Sequence, residues 1–155
     1  RRGLTAATLT PGVVDEDARE VFCYGYCYLL ALAMHEITGW RIAVIDRLTP
    51  EGDWQWIHVA VLDPSDRKMD VEGCCDFSGL FEGRGLRLVN ADGTTTEGRL
   101  RVADGYAGFR ELLGEKVCPP ATLAALWATY EPAFVGVTRR FAEAMLNRHA
   151  LECAA

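Results

Sequence analysis

The chain of 155 residues has a mass of 17.1 kDa, which suits one hydrophobic core, so we expect a single domain over residues 1–155. Half of its residues are hydrophobic and a quarter are charged, a composition that excludes intrinsic disorder. The net charge of -6 provides no basic field for phosphates and argues against a nucleic-acid partner. Six cysteines without the spacing of a disulfide framework indicate a reducing, cytoplasmic compartment.

The apolar run 21–34 raises the question of targeting. It is too short to span a bilayer, and the acidic segment 15–20 precedes it where a signal peptide would carry basic residues. We therefore interpret the run as a buried helix, see no signal peptide in the chain, and expect no membrane partner.

The first predicted helix covers Cys27–Thr38, because apolar residues recur there at helical spacing and Gly39 stands at a capping position. Two runs rich in β-branched residues follow, 41–45 and 56–62, with a turn-rich loop between them. We interpret these runs as adjacent strands.

Strong turn residues at 63–67 lead into a third short strand, 68–72, which we expect Gly73 to end. Further along, 86–89 and 99–102 form a possible hairpin around the turn signal Asp92-Gly93.

The C-terminal third has helical character. We expect a short helix over 105–114, a second over 122–130 that Pro119-Pro120 starts, and a third over 137–149 after Pro132. A helix, then antiparallel strands, then covering helices make an α+β fold.

Cys27 opens the first predicted helix, where we expect a loop to become helix. Unpaired amides and the helix dipole at such a position favour the thiolate, which is the nucleophilic form of cysteine. Gly25, two residues earlier, leaves room for a substrate to approach. The alternative is that Cys27 is a small buried hydrophobic residue, the commoner role of a free cysteine.

His58 lies within an apolar strand pattern, and Asp70 lies in the next predicted strand. On its own, His58 is most simply a core histidine with a satisfied hydrogen bond. The turn at Pro64 is midway between the two positions, so an antiparallel hairpin would bring them together on one face. The carboxylate could then orient the imidazole while its other nitrogen takes the proton of a thiol.

These three positions resemble the papain-like cysteine hydrolases and transferases, which include peptidases, transglutaminase-like enzymes and deamidases. The resemblance covers roughly residues 20–75: a cysteine opening the central helix, a histidine in the next main strand (Trp56-Ile57-His58-Val59), and an acidic residue in the following strand (Met69-Asp70-Val71). It implies a papain-like core, in which the helix that carries the cysteine packs on a small antiparallel sheet and C-terminal helices follow.

The resemblance also implies roles. Cys27 would be the nucleophile that forms a thioester, His58 the general acid and base, and Asp70 the orienting carboxylate, with no cofactor and no metal. The resemblance further implies a protein or peptide substrate. Analogy at the level of the fold adds a second expectation, that the chain is an effector or toxin delivered to a target cell. Papain has a glutamine shortly before its cysteine, where this chain has Arg19-Glu20-Val21-Phe22, so the second oxyanion donor is unassigned and Gln55 is a weak candidate.

Other interpretations stay open. A zinc site could be drawn from Cys23, Cys27, Cys74, Cys75 and His58, but the usual ligand spacing is absent. The aromatic residues Tyr24, Tyr26, Tyr28, Trp54 and Trp56 could line a cleft or pack in a core. We expect His35 and His149 to lie on the surface near helix ends. The rival function is a non-catalytic binding module that keeps the same fold.

Overall fold

The computed structural model describes residues 9–71, 73–76, 86–90 and 92–154. Within these ranges the helices are α1 (Glu16–Tyr24), α2 (Cys27–Thr38), α3 (Tyr106–Leu113), α4 (Leu123–Ala128) and α5 (Pro132–Ala154). The strands are β1 (Arg41–Leu48), β2 (Trp54–Leu62), β3 (Arg67–Asp70), β4 (Gly73–Asp76), β5 (Leu86–Val89) and β6 (Thr95–Ala103). The fold is α+β, as predicted.

The strands form one antiparallel sheet in the order β4-β3-β2-β1-β6-β5. The predicted neighbours β1 and β2 pair along their whole length, from Arg41 opposite Leu62 to Leu48 opposite Trp54. Their register shifts between Ile45 and Asp46, where β2 carries an extra residue.

The predicted hairpin around Gly93 is confirmed, but its register differs from the expected one. β5 pairs with 95–98 at the start of β6, while 99–102 pair with β1 instead. The turn is tighter than expected because Gly93 adopts a left-handed φ of 84°, and the amide of Thr94 bonds to the side chain of Asp92.

Three predicted boundaries are wrong. The last helix, predicted over 137–149 after Pro132, begins at Pro132 itself and ends at Ala154. Gly73 does not end the strand region: β3 stops at Asp70 and Gly73 begins β4, whereas Glu72 lies outside the described residues. Pro119-Pro120 does not start a helix either. That helix begins at Leu123, because the Thr122 side chain accepts a hydrogen bond from the amide of Ala125 and caps the first turn.

Helix α2 is the centre of the core. Seven of its residues are buried, and it packs against α1, against β1 to β3, and against α5. It ends as predicted at Gly39, whose φ of 72° is left-handed. The core residues that surround α2 come from β2, β3 and α5, and include Val59, Val61, Met69, Phe141 and Met145.

The apolar run of the sequence is divided between two helices. In the described part of the chain, no single helix is long and apolar enough to cross a membrane. Together, α1 and α2 meet that test by length and composition only, and they are bent by 85° at their junction.

Candidate active site

Cys27 lies at a break between two helices. A loop was expected before it, but α1 occupies that segment and ends at Tyr24. The carbonyl of Tyr26 accepts hydrogen bonds from the amides of Leu29 and Leu30, at 3.1 and 3.4 Å, and so begins α2. Cys27 is therefore the first residue of α2, and its sulfur is a free thiol with 4% of the residue exposed.

His58 lies beside the bulge of β2. It is opposite Ile45, whereas the next pair of β1 and β2 joins Asp46 to Trp56, so Ile57 is the extra residue. A bulge of this kind changes the direction in which neighbouring side chains point. The imidazole is 18% exposed and its Nε2 lies 2.6 Å from Oδ2 of Asp70.

Asp70 meets His58 across β2 and β3, as the sequence predicted, but not from the position directly opposite. Val61 is opposite Met69, which places Asp70 across from Ala60, two residues along the strand from His58. Side chains in such a diagonal relation are still within reach of each other. The turn between β2 and β3 is not centred on Pro64, as the sequence suggested. His58 and Asp70 still make contact because the imidazole is long enough to span the diagonal.

The two groups change each other's protonation. Burial acts to raise the pKa of Asp70, but the hydrogen bond from His58 and the charge of Lys68 lower it to about 2. Burial likewise acts to lower the pKa of His58, but the hydrogen bond to Asp70 and the nearby side chain of Cys27, together with their charges, raise it to about 9. At neutral pH the pair is therefore an aspartate bonded to an imidazolium.

Cys27 is the third member of the group. Its side chain lies close enough to the imidazole to raise the pKa of His58. Asp70 bonds to Nε2, so Nδ1 is the ring nitrogen left for the sulfur. The structure thus brings the three predicted residues together from α2, β2 and β3, with a hydrogen bond between His58 and Asp70 and the thiol of Cys27 nearby.

Other residues singled out from the sequence have different surroundings. Gln55 is exposed, and its side-chain oxygen accepts a hydrogen bond from Nε of Arg47 at 3.0 Å. Tyr26 packs edge-on against Tyr130 and Phe134, with ring centres 6.2 and 5.3 Å apart. The aromatic residues before Cys27 therefore include one that packs against the C-terminal helices.

The two remaining histidines differ from each other. His35 lies near the end of α2, half-buried, with Nδ1 2.6 Å from the carbonyl of Trp40. His149 is not on the surface as expected: it is 6% exposed, and its Nε2 lies 3.0 Å from Oδ2 of Asp63. The prediction failed because the partner of His149 comes from the turn after β2, which local sequence cannot show.

Sequence reasoning missed Lys68. Its Nζ lies 2.6 Å from Oδ2 of Asp70, the same oxygen that bonds to His58. Residues two apart on a strand point to the same face, so this spacing could have found the lysine.

No group of three His, Cys, Asp or Glu side chains that could hold a metal ion occurs within the described ranges. The side chains of Cys74 and Cys75, which belonged to the zinc alternative, lie outside the description.

Comparisons of the chain with protein-family models, with curated proteins and with solved structures found no significant match. What the site does must be inferred from its own residues and their geometry.

Proposed function

We propose that this chain is a thiol-dependent acyl-transfer enzyme with a papain-like core, acting on an amide or isopeptide bond of a protein or peptide. One observation carries the proposal: His58 bonds to the carboxylate of Asp70 through Nε2, and the Cys27 side chain lies close enough to raise the pKa of the imidazole. A nucleophile, a base bonded to it, and a third group that orients the base are the arrangement that nucleophilic catalysis requires.

The chemistry follows from that arrangement. The sulfur of Cys27 attacks the carbonyl carbon of the amide and forms a C–S bond, while His58 donates its proton to the leaving nitrogen as the C–N bond breaks. The product of this step is a thioester and a free amine. Water or a second amine then attacks the thioester and His58 takes its proton. The C–S bond breaks and the sulfur leaves as a thiolate beside the imidazolium, which restores the starting state.

Asp70 has a defined part in this cycle. Its ionised carboxylate accepts a hydrogen bond from Nε2, which fixes the orientation of the ring and leaves Nδ1 for the thiol. The first amides of α2, beginning at Cys27, precede the i to i−4 bonds of the helix, and one of them can donate to the oxyanion.

The second candidate function is a binding module without catalysis. The 4% exposure of Cys27 and its membership of the core cluster favour this alternative, because a buried cysteine commonly acts as a small apolar residue. In that case the bond between His58 and Asp70 would stabilise the fold and nothing more.

The rate of alkylation of Cys27 by iodoacetamide at pH 7 separates the two functions. Trypsin leaves Cys23 and Cys27 in one peptide, residues 20–41, so fragment ions must assign the modified sulfur. We expect Cys27 to react faster in the native chain than in the urea-unfolded chain, and His58→Ala to remove this advantage. His35→Ala is the matched control, since that histidine lies at the other end of α2.

The binding module predicts the reverse. Cys27 would react more slowly in the native chain than in the unfolded one, and His58→Ala would leave its rate unchanged. Once a turnover assay exists, full activity of Cys27→Ala would also exclude the thioester mechanism.

A further inference from the structure

Two cations share one oxygen of Asp70. His58 Nε2 and Lys68 Nζ each lie 2.6 Å from Oδ2, and the carboxylate is 5% exposed. The Lys68 side chain is itself only 14% exposed, which is unusual for lysine and places its charge close to the site. Lys68 is therefore half-buried, and its ammonium bonds to the carboxylate of the His–Asp pair rather than standing in solvent.

We propose that Lys68 is a positioning residue of the thiol site: it holds the Asp70 carboxylate against His58 and draws part of its negative charge away from the imidazole. This inference rests on the proposed thiol chemistry, because only that chemistry gives the proton of His58 a function.

The charges around the pair show what Lys68 changes. Among the described residues, titratable groups face it from two elements, Cys27 from α2 on the imidazole and Lys68 from β3 on the carboxylate. The ammonium of Lys68 offsets part of the negative charge that Asp70 presents to the imidazolium. Without Lys68, the imidazolium has one cationic neighbour fewer, so it holds its proton more tightly. A general acid that holds its proton too tightly transfers it less readily to the leaving amine.

The direct test is the titration of the His58 ring, followed by NMR in the full chain. The chain has three histidines, and the signals that disappear in His58→Ala assign the ring. Lys68→Met should move the titration midpoint of His58 upward by about one pH unit. Lys68→Arg keeps the cation and should stay close to wild type. Lys116→Met removes the only other lysine, which is exposed, and should leave the midpoint unchanged.

Each outcome has one meaning. An unchanged or lowered midpoint in Lys68→Met overturns the role of Lys68. If Cys27 alkylation still depends on His58 in that case, the proposed function stands without it. If His58→Ala, made in a chain that keeps Lys68, leaves the alkylation rate of Cys27 unchanged, the proposed function itself is wrong. Should Lys68→Met fail to fold by urea denaturation, Lys68→Gln, which keeps a donor without the charge, takes its place in the same titration.

Discussion

Asp70→Asn removes the charge that holds the proton of His58, so it tests the electrostatics of the site through folding stability. Burial acts to lower the pKa of His58, yet Asp70 and Cys27 raise it from 6.5 to about 9. Because the folded-state pKa is the higher one, the stabilisation is fully present below pH 6.5 and is lost as the pH rises through about 9. The shift corresponds to about 3 kcal/mol at most.

The lowered pKa of Asp70 arises partly from the same contact with His58 and partly from Lys68, so its free energy overlaps with the figure for His58. Its pKa is lowered from 3.8 to about 2, so its stabilisation is present above pH 3.8 and is lost only as the pH falls through about 2. That range lies well below the one in which His58 titrates. Between pH 6 and pH 10 the charge of Asp70 therefore stays constant while His58 loses its proton.

The assay is urea denaturation of wild type and Asp70→Asn at a series of pH values from 6 to 10. We expect wild type to lose up to about 3 kcal/mol of unfolding free energy over this range, and Asp70→Asn to lose only the part that Cys27 supplies. Because both chains carry the same cysteines and tyrosines, other titrations cancel in the difference.

Asp92→Asn is the matched control, because Asp92 is an exposed aspartate bonded to Thr94 rather than to a base. It should follow wild type at every pH. A stability difference between wild type and Asp70→Asn that stays constant from pH 6 to pH 10 would refute the claim that His58 is held protonated by Asp70.

Two further variants separate the fold from the site. Asp46 is fully buried and accepts hydrogen bonds from Arg99 and Arg101. Asp46→Asn should therefore lower the unfolding free energy, measured in urea, by about 3 kcal/mol. A loss smaller than the error of the measurement would contradict this. Tyr130→Phe removes a 2.5 Å hydrogen bond to the hydroxyl of Tyr28, so it should reduce the free energy of unfolding by about 1 kcal/mol and lower the melting temperature. An unchanged or higher melting temperature would show that the bond does not stabilise the fold.

Features that depend on nearby residues could be predicted from the sequence. The bounds of α2 follow from its apolar spacing and from Gly39, whose left-handed φ ends the helix. The pairing of β1 with β2 follows from two β-branched runs and the loop between them. The contact of His58 with Asp70 follows from hairpin geometry, which keeps residues of even spacing on one face.

Features set by distant residues could not be predicted in this way. The register of β5 against β6 was wrong because the second half of β6 pairs with β1, and no local pattern says which neighbour a strand takes. His149 is buried because Asp63, far away in the sequence, lies beside it. Lys68 was overlooked because a strand lysine in a turn-rich region is typical of a solvated face.

The C-terminal helices, which lie outside the region of resemblance, contact the helix that carries the thiol. At the start of α2, Tyr26 packs against Tyr130 and Phe134, and Tyr28 bonds to Tyr130. These contacts flank Cys27 on both sides in the sequence.

The other end of α2 is held by the same part of the chain. Glu36 accepts a hydrogen bond from Trp127 Nε1 at 2.6 Å, and Arg139 lies 3.6 Å from the same carboxylate oxygen. Helices α4 and α5, with the corner between them, therefore hold both ends of α2. Residues 20–75 supply the three residues of the candidate site, but the distance between the sulfur of Cys27 and the ring of His58 depends on where α2 lies against the sheet. The C-terminal helices thus help to set that distance, and in the proposed mechanism they would align the nucleophile with the base.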